Sequence, residues 1–150
     1  MQEQTPQLSK KLVLLFGLFA FIGFLDAAYL TVVHFSDIPL LCGANSGCET
    51  VTTSVYSAIA GIPVALLGAL YYIGLLFLTI FYLDRKNSTV MHLALRLSAI
   101  GLVASLYFVG LQLFVLKALC IYCMASAISS TTLFVIGLFG RRAALKTVVQ

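Results

Sequence analysis

Four cysteines, Cys42, Cys48, Cys120 and Cys123, are the residues of this chain best equipped for chemistry. Cys120-Ile121-Tyr122-Cys123 is a Cys-x-x-Cys pair. On a helix its two thiols fall on one face, close enough to close a small disulfide ring. A thiol in the first turn also feels the positive end of the helix dipole, which favours thiolate and makes it a better nucleophile and leaving group. Cys42 and Cys48 bracket Gly43, Asn45, Ser46 and Gly47, a composition that permits tight turns. Two such pairs predict thiol–disulfide exchange in series. The loop pair meets a soluble partner and then swaps disulfides with the second pair by thiolate attack. Two other uses stand beside this one. The protein could be non-catalytic, with disulfides that staple its loops. The spacings C-x₅-C and C-x₂-C could also supply four thiolates to zinc or an iron–sulfur cluster.

The elements that must position these thiols are written in the hydropathy. Of 150 residues, 61% are hydrophobic and only 9% charged, and the mean hydropathy is +1.08. A soluble domain needs far more charge to cover its surface, so lipid is the expected solvent. The apolar runs predict transmembrane helices at about 12–35, 61–83, 90–116 and 119–140. The fold class is therefore all-α, an integral membrane four-helix bundle forming a single domain over 1–150. The first run is too long for a signal peptide and ends without a small-x-small cleavage site, so it reads as a retained helix. Residues 1–9 are a polar tail. The one sizeable connection, His34–Ser57, is a loop between helices 1 and 2, and the segment Glu49–Ala60 is expected to form a short surface helix. Pro63 is tolerated in the first turn of the second helix.

Charge sets the expected orientation. The net charge of +4 carries no basic helix face and no aromatic-basic interleaving, so nucleic acid is not an expected partner. Lys10, Lys11, Arg85, Lys86, Arg141, Arg142 and Lys146 all fall at one end of the bundle, with Arg96 near it, and Lys117 falls at the other. The positive-inside rule then puts both termini in the cytoplasm and all four cysteines on the opposite face of the cell membrane. That face is oxidising, where disulfides persist. Electrons reaching a thiol pair embedded among apolar helices need an acceptor soluble in lipid, and a quinone of the ubiquinone or menaquinone type is the natural one. Phe16, Phe19, Tyr71, Tyr72, Phe108 and Phe114 are available to line its ring and tail.

The ordered set Ser46-Gly47-Cys48, Ser54, Tyr56, Gly61-Ile62-Pro63, Leu67-Gly68 and Cys120-Ile121-Tyr122-Cys123 resembles the vitamin K epoxide reductase family in its prokaryotic form. Asp26-x-x-Tyr29-Leu30-Thr31-x-x-His34 in the first run is similar as well. The resemblance covers nearly the whole chain. It implies a four-helix bundle around a quinone, capped by a loop and a short helix. It further implies that Cys42 exchanges with a separate thioredoxin-fold protein and that Cys48 relays to Cys120 through a transient disulfide. Cys123 would be the thiolate beside the quinone, and Ser54 would hold the loop or site by hydrogen bonding. The vertebrate enzymes have a tyrosine four residues after the last cysteine; Ala127 stands there here.

Other polar residues within the apolar runs have milder expectations. Asp26 is an intramembrane carboxylate, expected to serve at the interface, in helix pairing, or in proton transfer to the quinone. His34 and Tyr122 read as interfacial. Ser126, Ser129, Ser130, Thr131 and Thr132 are expected to bond carbonyls of their own helix or of a neighbour.

Overall fold

The computed structural model describes residues 9–36, 40–42 and 47–148, without the side chains of Ser88 and 143–148. The tail at 1–8, the loop residues 37–39 and 43–46 (Ser46 of the motif among them) and the Lys146 charge lie outside what is described. Four long helices carry the fold. They are α1 (Lys10–Ser36), α3 (Val64–Arg85), α4 (Ser88–Gly110, continued by a wider π turn at Leu111–Leu116) and α5 (Ile121–Val148). Each contains a segment long and apolar enough to cross a membrane.

The helices pack by small residues, as expected where lipid removes the hydrophobic drive between helices and close approach must supply the attraction. The buried stripe of α1 is Val13, Phe16, Ala20, Gly23, Ala27 and Leu30, at spacings of three and four. Along it Gly17 meets Thr79, Gly23 meets the Tyr72 ring and Ala27 meets Gly68. Rising numbers on α1 against falling numbers on α3 make the pair antiparallel. The α4–α5 pair is antiparallel for the same reason: Gly137 sits against Leu95 and Ser98, and Ser130 donates to the Gly101 carbonyl at 3.2 Å. The large side chains Leu14, Phe77, Ile80, Ile100, Leu106 and Phe139 face outward, an apolar belt that suits lipid and not water.

The ends of the helices have identifiable causes. α3 stops where Lys86 turns left-handed (φ 50°) and donates its N–H to the Tyr82 carbonyl at 2.8 Å. Asn87 then caps α4, its Oδ1 accepting from Thr89 N–H at 2.9 Å. The loop differs from expectation. Only Cys48–Thr52 is helical (α2), followed by a single 3₁₀ turn at Val55–Ser57. Ala58–Ile59 (β1) and Ile62–Pro63 (β2) pair as a minimal antiparallel hairpin, so the predicted surface helix is shorter and α3 begins at Val64, not 61. Ala60 (φ 51°) and Gly61 (φ 82°) explain this. Two successive left-handed residues make a hairpin turn and cannot open a helix. Pro63 sits just before α3 rather than inside its first turn.

Candidate functional site

The cysteine end of the bundle is built around an interruption in the last two helices. After Gly110 the helix widens into the π turn, and Lys117 ends it in a left-handed conformation (φ 49°). Gln112 holds the turn that follows. Its main-chain carbonyl accepts from Lys117 and Ala118 N–H, and its side-chain carbonyl accepts from Cys120 N–H at 2.9 Å. Gln112 is almost fully buried. Sequence reasoning passed over it, although a lone amide inside an apolar run is itself a signal.

Cys120 then caps α5 instead of lying in its first turn as expected. Its carbonyl accepts the first helical bond, from Met124 N–H at 3.0 Å. The Cys120 thiol is pulled below its ordinary value, to about 6, first by a hydrogen bond from the Cys123 side chain and then by the N–H groups of Cys123 and Tyr122. These are the orphan donors that an N-cap side chain satisfies. Cys120 and Cys123 are free thiols, Cys120 fully buried and Cys123 partly so.

The loop pair is closed. Cys42 and Cys48 form a disulfide across a Cα–Cα distance of 6.4 Å. Cys48 is fully buried at the start of α2. Gly47, just before it, lies against Ala118 and the Leu119 nitrogen, with no room for a Cβ. Each of Cys48 and Cys120 is one residue beyond that contact, so the structure brings the two into one neighbourhood. Tyr122 reaches back to the loop, donating to the Leu41 carbonyl at 3.2 Å, and its ring lies 5.1 Å from that of Tyr29 on α1. Ser54 Oγ donates to the Val51 carbonyl at 2.8 Å, a bond within the loop itself.

Beneath the loop is a cavity of about 970 Å³. Cys42 and Ser54 border it from the loop, Cys123 and Ala127 from α5, Asp26 and His34 from α1. Tyr71, Tyr72 and Phe108 line it as anticipated; Phe16, Phe19 and Phe114 do not. Phe16 belongs to the helix core, Phe19 packs against that core, and Phe114 points outward with 80% of its surface exposed. Both α1 phenylalanines lie further from the cysteine end than Asp26, where the cavity begins. Leu67 on α3 and Ile100 on α4 border the cavity and are also exposed on the apolar outer surface, so the cavity reaches that surface between these two helices.

Two polar atoms at this cavity are buried without a hydrogen-bond partner among the described residues: Asp26 Oδ2 and the Tyr71 hydroxyl. Tyr72, by contrast, is satisfied, donating to the Ser126 carbonyl at 2.7 Å. Ser130 bonds Ser105 Oγ at 2.6 Å across to α4, while Thr131 and Thr132 bond carbonyls of their own helix, as expected.

The family model for the vitamin K epoxide reductase family matches residues 14–138, from the first turns of α1 to the body of α5. Four apolar helices, two cysteine pairs at one end and a match over most of its length lead to one conclusion: the chain belongs to the vitamin K epoxide reductase family, whose members imply a multi-pass membrane oxidoreductase.

Proposed function

We propose that the protein oxidises a thioredoxin-fold partner at Cys42 and Cys48, passes the electrons to Cys120 and Cys123, and delivers them to a membrane quinone, driving disulfide formation on the extracytoplasmic side. The observation that supports this reading is that one cysteine of each pair borders a single cavity while the other is buried close to where the loop meets the start of α5. Cys42 and Cys123 border the cavity, while Cys48 and Cys120 are both fully buried, Cys48 following Gly47 and Cys120 following the Ala118–Leu119 segment that Gly47 touches.

The roles follow from exposure and acidity. A partner thiolate attacks Cys42 Sγ and releases Cys48 as the leaving thiolate. Cys48 then attacks Cys120 in a closed Cys120–Cys123 pair, freeing Cys123 at the cavity wall. Cys120 suits the middle of this chain because its raised acidity makes it a good leaving group when the transient Cys48–Cys120 bond is resolved. Ser54 supports the loop through Val51.

A quinone fits the residues present. The two unpartnered polar atoms, Asp26 Oδ2 and the Tyr71 hydroxyl, suit a ligand with oxygens on an otherwise apolar ring, and Ala27, Leu30, Leu67 and Phe108 give it an apolar bed. When bound, a quinone supplies an acceptor for two electrons and two protons that dissolves in lipid. Both termini and the basic helix ends are assigned to the cytoplasm on charge alone.

The test is Cys123→Ala. It is expected to abolish thiol-dependent quinone reduction while the Cys42–Cys48 disulfide and the helical content survive. Full quinone reduction by that variant, or stoichiometric zinc in a wild-type protein that reduces no quinone, overturns the reading.

A further inference from the structure

Asp26 stands in α1 one turn ahead of Leu30, inside the segment that spans the membrane, with Oδ2 buried at the cavity wall and unpartnered among the described residues. Among the described residues no cation offsets it there: Lys10 and Lys11 are at the far end of α1, and the ion pair of Asp84 with Arg85 is at the far end of α3. A buried carboxyl oxygen without a hydrogen bond costs about 1–3 kcal/mol or more, so its retention calls for a use. The titratable groups within electrostatic reach of it are Cys120 and Cys123, Tyr122 between them on α5, and Tyr72 on α3. His34, on its own helix, borders the same cavity.

We propose that Asp26 is the proton carrier of the embedded cysteine pair, taking a proton released as Cys120 and Cys123 close their disulfide and giving it to a ligand oxygen in the cavity. The inference rests on the quinone reading above and assigns a residue to its proton traffic. Closing the pair forms one S–S bond, breaks two S–H bonds and releases two electrons and two protons. A quinone takes up both electrons and both protons to become the hydroquinone. Asp26 carries one proton and returns to its starting state, so no outside reductant or acid is needed. The position is apt on three counts. The carboxyl is in the electrostatic field of both thiols, it opens onto the cavity rather than onto bulk water, and Oδ2 has no competing bond to break before it moves a proton.

The decisive variant is Asp26→Asn, which keeps the size and cannot carry the proton. One readout separates a proton role from a structural one. In wild type, the redox-difference infrared spectrum is expected to contain a carboxyl band on closing Cys120–Cys123. That band persists in Asp84→Asn and is lost in Asp26→Asn. With a water-soluble quinone, turnover is expected to fall by roughly 10²-fold, with Cys48–Cys120 exchange unchanged and partial recovery in Asp26→Glu. Wild-type turnover in Asp26→Asn overturns the proton role alone. A wild-type protein that reduces no quinone sinks the parent reading instead. Should Asp26→Asn fail to assemble, the wild-type infrared spectrum still decides, since an absent carboxyl band refutes the proposal.

Discussion

Gly47 is where the loop touches the connection that carries Cys120, and replacing it with alanine tests the relay between the two cysteine pairs. Its backbone (φ −72°, ψ 17°) is open to any residue, so the effect is steric and not conformational. A Cβ placed there meets Ala118 Cβ at 2.5 Å, Ala118 Cα at 2.9 Å and the Leu119 nitrogen at 3.0 Å. Carbon atoms in contact prefer about 3.5–4.0 Å, so the loop must retreat by about 1 Å. Overpacking of this kind costs about 1–3 kcal/mol of stability. A displacement of about 1 Å between reacting groups slows a step by roughly 10²-fold. The assay uses a background of Cys42→Ala and Cys123→Ala, in which Cys48 and Cys120 are the remaining thiols. The rate of Cys48–Cys120 bond formation in a glutathione buffer is followed by gel mobility, with and without Gly47→Ala. The expected result is a slowing of roughly 10²-fold in a bundle that keeps its helical content. An unchanged rate would refute the claim that this contact sets the approach of Cys48 to Cys120.

Three further outcomes are expected. Tyr71→Phe removes a buried hydroxyl with no partner among the described residues, so the ligand-free protein is expected to be as stable as wild type or up to about 1 kcal/mol more so. The same variant should bind a soluble quinone analogue about fivefold to tenfold more weakly, a loss of about 1 kcal/mol, read by calorimetry. Gln112→Leu strands the Cys120 N–H in a buried site, and denaturant unfolding is expected to register a loss of about 1–3 kcal/mol. Cys123→Ala removes the first donor to the Cys120 sulfur, so the thiolate midpoint should rise from about 6 toward the ordinary 9.0, followed by ultraviolet absorbance. The sign for stability follows from the lowered value. In the dithiol form this contribution is complete above pH 9.0 and is lost as the pH falls through about 6, and the variant should flatten that dependence.

The four helices were legible because burial in lipid demands long uninterrupted apolar runs, and the runs ended at Arg85 and Lys86 or at Arg141 where the helices or their apolar segments end. The match of motifs was equally open to reading. The loop was less so: Glu49–Ala60 has the composition of a surface helix, and only the left-handed pair at Ala60 and Gly61 turns its second half into a hairpin. Composition could not say that the last turn of α4 widens, which hands Gln112 the Cys120 N–H and leaves Phe114 outside. Nor could it separate the six aromatic candidates for the cavity, since which of them face it depends on helix rotation and depth. The Tyr71 hydroxyl is legible only in three dimensions, because an orphan is defined by what its neighbours fail to offer.

The gap between α3 and α4, bordered by Leu67 and Ile100, has a consequence for how such a protein is assayed. A ligand arriving through it comes from the bilayer and not from water. Occupancy then follows the ligand's mole fraction in the lipid phase, and total aqueous concentration is the wrong variable. Adding detergent at fixed ligand dilutes the site's effective supply without touching the protein. Saturation curves taken at different micelle contents should therefore collapse onto one line only when plotted against surface concentration.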